Sequence, residues 1–255
     1  MPIKVELIPV LEDNYIPIII AENGNCLIVD PALAKPVDDF VNQNGLKPIG
    51  ILNTHHHWDH TDGIEGLKSK YKIEVFGPKY DLYRVPSITN PLVNGDKLDL
   101  LNCTFEILEV PGHTLGHIVY YVKSENLAFV GDTLFAMGCG RLFEGSPEQM
   151  YKSLNQLVLW PDSTTIYCAH EYTESNGQFA LSMEPDNTDL QLRMKQVEQI
   201  RSKGRPTIPT QMGVEKRTNP FLRVHSTEIK RNLGLSPETS NEATFTALRH
   251  AKDQF

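Results

Sequence analysis

The stretch Asn53-Thr54-His55-His56-His57-Trp58-Asp59-His60-Thr61-Asp62-Gly63 places four of the chain's nine histidines within six residues. Just before it, Gly50-Ile51-Leu52-Asn53 predicts a buried strand. The imidazoles therefore begin where a strand ends, which is where ligand sites gather in α/β architectures. His55 and His57 are two residues apart, so an extended backbone points both the same way and sends His56 elsewhere. Asp59 and His60 fall in the turn feeding the next helix, placed to face a second position in the same site, and one cluster can thus feed two metal ions. A single histidine is usually a core or surface side chain. Imidazoles crowded this tightly disfavour one another's protonation, and as neutral ligands they suit a shared cation.

Outward from the run, three more candidates follow strand ends. His113 comes after the predicted strand Phe105 to Val110 and its Pro111-Gly112 turn, Asp132 after Ala128 to Gly131, and His170 after Ile166 to Ala169. Zinc or a similar divalent ion accepts nitrogen and carboxylate ligands, and a carboxylate such as Asp132 can bridge two ions about 3.5 to 4 Å apart. Taken singly, each has a structural alternative: nearby His117 rivals His113, and an Asp after Gly131 also suits a plain turn. Asp30, after the strand Cys26 to Val29, is placed either to accept a hydrogen bond from a liganding histidine or to sit in a turn before Pro31. Trp58 and Tyr172 are pocket walls or packing residues.

Composition narrows the chemistry. With 255 residues, 40% hydrophobic and 22% charged, the chain suits one large or two modest globular domains. A formal net charge of -8 gives no overall basic face for phosphate backbones or anionic lipid, so nucleic acid and membrane are not expected partners, and an anionic ligand must be met by a local basic cluster. The N-terminus has no long apolar run, and stretches such as Ile18 to Ala21 are too short to span a bilayer. A cytoplasmic protein is expected. Cys26, Cys103, Cys139 and Cys168 are scattered without a Cys-x-x-Cys pair and predict buried, reduced thiols.

Two textures divide the chain. Up to about Glu171, short β-rich runs alternate with turns and with helical patterns at Pro36 to Asn44, Gly63 to Lys70 and Pro147 to Leu157. After Tyr172 no strand is expected: Ser175 to Ser202 reads as helix broken near Glu184-Pro185-Asp186, and a Pro-containing connection from Arg205 to Asn219 leads to helices near Thr227 to Leu233 and Asn241 to Lys252.

The motifs Thr54-His-His-His-Trp-Asp-His60, Pro111-Gly-His-Thr114, Gly131-Asp132-Thr133 and Ala169-His170-Glu171 resemble the metallo-β-lactamase superfamily. Asp132-Thr-Leu-Phe135 with Gly138-Cys-Gly-Arg141, Cys168-Ala-His-Glu-Tyr172, Asn219-Pro-Phe-Leu-Arg223 and Arg249-His-Ala-Lys-Asp253 resemble, more narrowly, the glyoxalase II (hydroxyacylglutathione hydrolase) family, and the likeness covers essentially the whole chain. The resemblance implies an α/β fold, a four-layer αββα sandwich with a helical C-terminal domain: residues 1–171 catalytic, residues 172–255 substrate-binding. It further implies a first metal site of His55, His57 and His113, a second of Asp59, His60 and His170, and Asp132 as the bridge, leaving His56 without a ligand role. Two divalent ions per chain are expected, zinc first, with iron or manganese as alternatives. A water held between them would lose a proton near neutral pH and attack the carbonyl, which the metals also polarise; Asp59 and Asp132 belong to that machinery. A thiolate leaving group, with a pKa of about 8.5, departs without a strong general acid.

By the same resemblance, a small-molecule glutathione thioester is bound through Arg141, Phe143, Tyr172, Arg249 and Lys252, with Phe143 standing where many members carry Tyr. Arg249 and Lys252 are three apart on a helix and share a face that could clamp a carboxylate; the alternative is a solvated final turn whose cations complement the helix dipole. A monomer is expected, with a dimer as the alternative. Rival readings are another reaction of the superfamily (β-lactam hydrolysis, phosphodiester cleavage or persulfide oxidation) or a non-enzymatic metal-binding module. A nuclease calls for a basic face, an amide hydrolase must expel an amine, and a mononuclear dioxygenase would leave Asp59, His60 and His170 without purpose.

Overall fold

Runs of β-branched residues make the sheet that carries the histidines. In the computed structural model, which describes residues 3–255, β1 (Lys4–Val10), β2 (Asn14–Ile20), β3 (Asn25–Val29), β4 (Lys47–Leu52), β5 (Glu74–Pro78) and β6 (Asn90–Leu92) form one mixed sheet in that order. The first three strands are antiparallel neighbours, whereas β3 to β6 run parallel. Parallel neighbours need crossover connections. Helix α1 (Ala34–Gln43) supplies one, and the short α2 (Trp58–Thr61) with α3 (Ile64–Tyr71) supplies the next. Val37 and Val41 of α1 and Ile64 and Leu67 of α3 are buried in one cluster with Ile18, Ile28, Ile51 and Val75 of the sheet. Each such side chain contributes roughly 1.5–3 kcal/mol on burial.

The chain then makes an antiparallel meander of β7 (Lys97–Leu100), β8 (Cys103–Glu109), β9 (Ile118–Val122) and β10 (Leu127–Gly131). Tyr120 of β9 is fully buried, and its hydroxyl reaches the carbonyls of Asn53 (2.9 Å) and Phe76 (3.1 Å), which ties the meander to the ends of β4 and β5. Burial pushes this phenol well above its ordinary pKa, so it stays a donor.

Two compact units result. The first carries the chain up to Glu109 and again Leu115–Gly131; the second carries Val110–Thr114 and Asp132–Phe255. In the second, β11 (Leu134–Phe135) and β12 (Gly138–Cys139) form a small hairpin, followed by α4 (Pro147–Leu157) and β13 (Thr165–Cys168). Helix α4 starts with a capping box, the Ser146 hydroxyl accepting from the Gln149 N–H and the Gln149 side chain accepting from the Ser146 N–H. Next come α5 (Thr173–Met183), α6 (Thr188–Arg201), β14 (Thr210–Gln211), α7 (Met212–Thr218), α8 (Thr227–Asn232) and α9 (Asn241–Gln254). In this helical part Phe179 stacks on Phe221 (ring centroids 6.2 Å apart) and Phe221 meets Phe245 edge to face (5.7 Å).

Several expectations from sequence need correction. Thr210-Gln211 forms β14 against Thr165 and Ile166, so a strand does follow Tyr172, and the supposed connection Arg205 to Asn219 holds α7; the prolines at 206 and 209 hid both. Strands β6 and β7 escaped because one contains Pro91 and the other, Lys-Leu-Asp-Leu, is short and half solvated. Helix α3 starts from Gly63 without a side-chain cap, and Asp62 closes the end of α2. Helix α1 begins two residues before Pro36, which sits in the first turn where its missing N–H is not needed. All four cysteines are free and buried, as expected. Among the described residues, no helix is long and apolar enough to cross a membrane.

Candidate active site

In the first unit, β3 and β4 lie side by side in parallel with Val29 opposite Leu52, and the Asp30 N–H donates to the Leu52 carbonyl (3.0 Å). The two chain segments leaving the sheet are therefore neighbours, and Asp30 reaches the histidine run. Its Oδ1 accepts from the Thr54 N–H (2.7 Å) and Asn53 Nδ2 (3.1 Å), and its Oδ2 accepts from the Thr54 hydroxyl (2.6 Å) and His60 Nδ1 (3.1 Å). Having donated to Asp30, the Thr54 hydroxyl is left to accept from His55 Nδ1 (3.0 Å). These partners put the protons of His55 and His60 on Nδ1, so each Nε2 presents a lone pair.

His55 Nε2 and His57 Nδ1 come within 3.1 Å of one another, while the intervening His56 lies against Arg84 (3.2 Å) and buried Asp81 (3.4 Å). The alternation of an extended backbone separates them in this way. His60 Nε2 faces Asp59 Oδ2 at 3.5 Å, and the same carboxylate oxygen accepts from Asn14 Nδ2 (3.0 Å). Asp30, His55 and His60 also group tightly enough to hold an ion, but Asp30 already accepts four hydrogen bonds, so it serves the imidazoles instead. His117 is no rival ligand in this unit's geometry: fully buried, it stacks on the back of the His55 ring, centroids 4.7 Å apart. Trp58 is 61% exposed at the start of α2 and therefore is not core packing.

In the second unit, Asp132, His113 and His170 converge. Asp132 Oδ2 lies 3.4 Å from His113 Nε2 and 3.3 Å from His170 Nε2, with all three residues buried. His113 Nδ1 donates to the Arg141 carbonyl (2.7 Å), so its Nε2 also presents a lone pair. A lone pair and a carboxylate oxygen at that distance repel unless a proton or a cation stands between them. Nitrogen and carboxylate donors aimed at a common point, with the outer nitrogen of His113 hydrogen-bonded, are the donor set a divalent metal takes. The approach is close enough that a Cβ on Gly140 would lie 2.0 Å from the Asp132 carbonyl oxygen, so only glycine fits there.

The residues expected to hold substrate surround this half. Phe143, 62% exposed, sets its edge against His113 (5.3 Å) and donates its N–H to the His113 carbonyl (3.1 Å). Tyr172 stacks flat on His170 at 4.7 Å. Arg249 lies deeper than a surface clamp should: it is 4% exposed, with Nη1 donating to the Cys139 carbonyl (3.0 Å) and its guanidinium over the Phe221 ring. Lys252 donates to the Ser175 carbonyl (3.3 Å), and its pKa is lowered by burial and by the Arg249 and Arg141 guanidinium groups.

Sequence reading missed the supports: Asn14 on Asp59, the Arg141 carbonyl on His113, and a buttress under the β11–β12 hairpin. Asn219 Nδ2 donates to the carbonyls of Phe135 (3.1 Å) and Gly138 (2.9 Å) and to Glu215 (3.0 Å). Glu215, fully buried, also accepts from the Met137 N–H (2.7 Å) and the Thr210 hydroxyl (2.6 Å). Burial raises its pKa against the pull of those donors. Glu215→Ala, which strands them in the interior, is expected to cost about 3 kcal/mol in a denaturant melt. Because the folded pKa is raised, the carboxyl's contribution is complete below the ordinary value of 4.5 and is lost as pH rises through the raised one. Glu215→Gln should thus gain on the native protein in Tm between pH 4 and 8, and a pH-independent difference would refute the assignment.

Residues 17–170 match the metallo-β-lactamase superfamily, and residues 171–255 match the hydroxyacylglutathione hydrolase C-terminus. A hydroxyacylglutathione hydrolase of Ruegeria pomeroyi is 41% identical over the whole of both chains, and one of Aliivibrio salmonicida is 46% identical over 98% of this chain and 99% of its own. The chain belongs to the hydroxyacylglutathione hydrolase family. Among solved structures, the BLEG-1 B3 metallo-β-lactamase superposes with a TM-score of 0.68 at 20% identity, covering 86% of this chain and 99% of its own. ETHE1 from Myxococcus xanthus gives 0.65 at 24% identity, covering 99% and 100%. At such identities these show the fold: the metallo-β-lactamase fold with a helical C-terminal region, as the sequence motifs implied. Family and donor chemistry agree on divalent metal binding.

Proposed function

We propose that this hydrolase cleaves the thioester of an S-(2-hydroxyacyl)glutathione, such as S-D-lactoylglutathione, to glutathione and a 2-hydroxy acid, the second step of methylglyoxal disposal. The observation that carries the reading is the Asp132 carboxylate between the Nε2 atoms of His113 and His170, in a chain of this family. His55, His57 and His113 would hold one ion and Asp59, His60 and His170 a second, and Asp132 would serve both. Zinc suits that donor set. When bound, the metals would lower the pKa of water into the neutral range and polarise the thioester carbonyl.

The protein's own groups do the rest. Asp30 holds His55 and His60 in the tautomer that offers Nε2, Asn14 orients Asp59, and the Arg141 carbonyl orients His113. Phe143, edge-on to His113, and Tyr172, flat on His170, set apolar rings beside those ligands, which keep water from crowding the acyl group. Lys252, with Arg141 and Arg249, supplies the local positive charge that an anionic tripeptide needs on an acidic chain. The leaving thiolate needs no general acid, since its pKa is about 8.5. The C-terminal stretch 172–255, which carries Tyr172, Arg249 and Lys252, acts as the substrate-binding region, and the buried free thiols fit a reducing cytoplasm.

The test is metal content per chain, measured in one preparation with turnover of S-D-lactoylglutathione, a β-lactam and a phosphodiester. About two metals with selective thioester turnover is expected; thioester inactivity in metal-loaded protein overturns the substrate. Lys252→Ala should raise KM for glutathione thioesters on the order of 5-fold with kcat retained. It is a cleaner probe than Arg249→Ala, which also removes the donor held by Cys139.

A further inference from the structure

The last turn of α9 carries an acid where the helix dipole favours a base. Asp253 stands one residue from the helix end, and its Oδ1 is held by Arg249 Nη2 at 2.9 Å, with Arg141 Nε at 3.7 Å. Arg141 is 63% exposed and Asp253 one-third exposed, so this carboxylate sits at the mouth of the basic cluster, not beneath it. Arg249 does not depend on Asp253 for its position: its other amine is fixed by the Cys139 carbonyl and its plane lies over Phe221. What Asp253 does to these cations is occupy and partly neutralise them.

We propose that Asp253 is an internal counter-anion of the Arg141–Arg249–Lys252 cluster, standing where a substrate carboxylate binds, so that it weakens binding of the glutathione portion and sets KM and product release. The inference rests on the glutathione-thioester reading above. Three cations and one carboxylate leave the cluster with two positive charges in excess, enough to draw an anion, while the resident carboxylate occupies the guanidinium donors that best match a carboxylate's two oxygens. An arriving glycine carboxylate must share or displace it. A site so furnished binds its ligand less tightly than three bare cations would, and lets the charged product leave faster.

The experiment is steady-state kinetics of Asp253→Asn and Asp253→Glu in the metal-loaded full chain, with S-D-lactoylglutathione and with the same thioester amidated at its glycine carboxylate. Asp253→Asn is expected to lower KM for the free acid roughly threefold and to tighten inhibition by glutathione to the same degree. The amide's KM should not move, and Asp253→Glu, which keeps the charge, should stay near the native values. An unchanged or raised KM in Asp253→Asn, or an equal shift for acid and amide, overturns the counter-anion role. Failure of the native protein to turn over either thioester would instead overturn the parent reading, so the two failures are separable.

Discussion

Asp132→Asn is expected to lower bound metal and thioester turnover together, by at least about 100-fold in kcat/KM. The native carboxylate puts one oxygen 3.4 Å from His113 Nε2 and 3.3 Å from His170 Nε2. That sets a carboxylate oxygen against the His113 lone pair, a repulsion relieved by positive charge. An asparagine of the same shape removes the negative charge and can turn an amide N–H toward the His113 lone pair, satisfying it without an ion. The variant should therefore fold at least as well as the native apoprotein while losing the rise in Tm that metal produces, because a ligand stabilises only in proportion to its affinity for the folded state. Metal analysis, turnover and melts with and without chelator read the three consequences. Full metal with full activity in Asp132→Asn would sink the bridging role, and a variant that merely unfolded would show itself in the chelated melt.

What could be read from sequence, and what could not, follows the range of the interactions involved. The histidine run was legible because it is local: a strand followed by residues of alternating direction separates His55 and His57 from His56 by geometry alone. Asp30 was legible as a candidate acceptor because it too follows a strand, although only the parallel pairing of β3 with β4 decides that it serves His60 and Thr54 instead of a turn. Asn14, by contrast, meets Asp59 across 45 residues, the Arg141 carbonyl meets His113 across 28, and Asn219 meets Phe135 across 84. Asn14 and Asn219 are unremarkable polar residues in one-dimensional terms, and a backbone carbonyl has no sequence signature at all. The Asn219-Pro-Phe-Leu-Arg223 motif signalled family without signalling its work, which is to brace the hairpin leading from Asp132 to Arg141. Helical periodicity placed Arg249 and Lys252 on one face but could not show that one is buried under Cys139 and the other half-buried, a distinction tertiary packing alone makes.

Replacing Asp30 should have the next largest effect, and two replacements separate its two duties. Asp30→Ala strands four donors in a site where the native residue is 3% exposed, and it places a Cβ-bearing residue without local hydrogen bonding at φ 46°, a left-handed backbone that aspartate and asparagine tolerate better. A loss of about 3 kcal/mol or more in stability is expected. Asp30→Asn keeps the backbone conformation and one acceptor oxygen, which can retain the Thr54 N–H and Asn53, so it should be far better folded. It replaces the other oxygen by a donor, however, and that donor confronts the Thr54 hydroxyl and the His60 Nδ1 proton. The hydroxyl must then turn, His55 loses the acceptor that held its proton on Nδ1, and both imidazoles shift toward the tautomer that carries hydrogen on Nε2, the nitrogen assigned to metal. Metal affinity should fall roughly 10- to 100-fold through this route alone. Nitrogen-15 spectra of the imidazoles in metal-free native protein and Asp30→Asn report the tautomers directly, and metal titration reports the affinity. Unchanged tautomers with native metal affinity would show that Asp30 is only a structural acid of the β3 turn, whereas a tautomer shift with weakened metal binding in a well-folded variant would establish that it governs, through Thr54 and His60, which nitrogens the site presents.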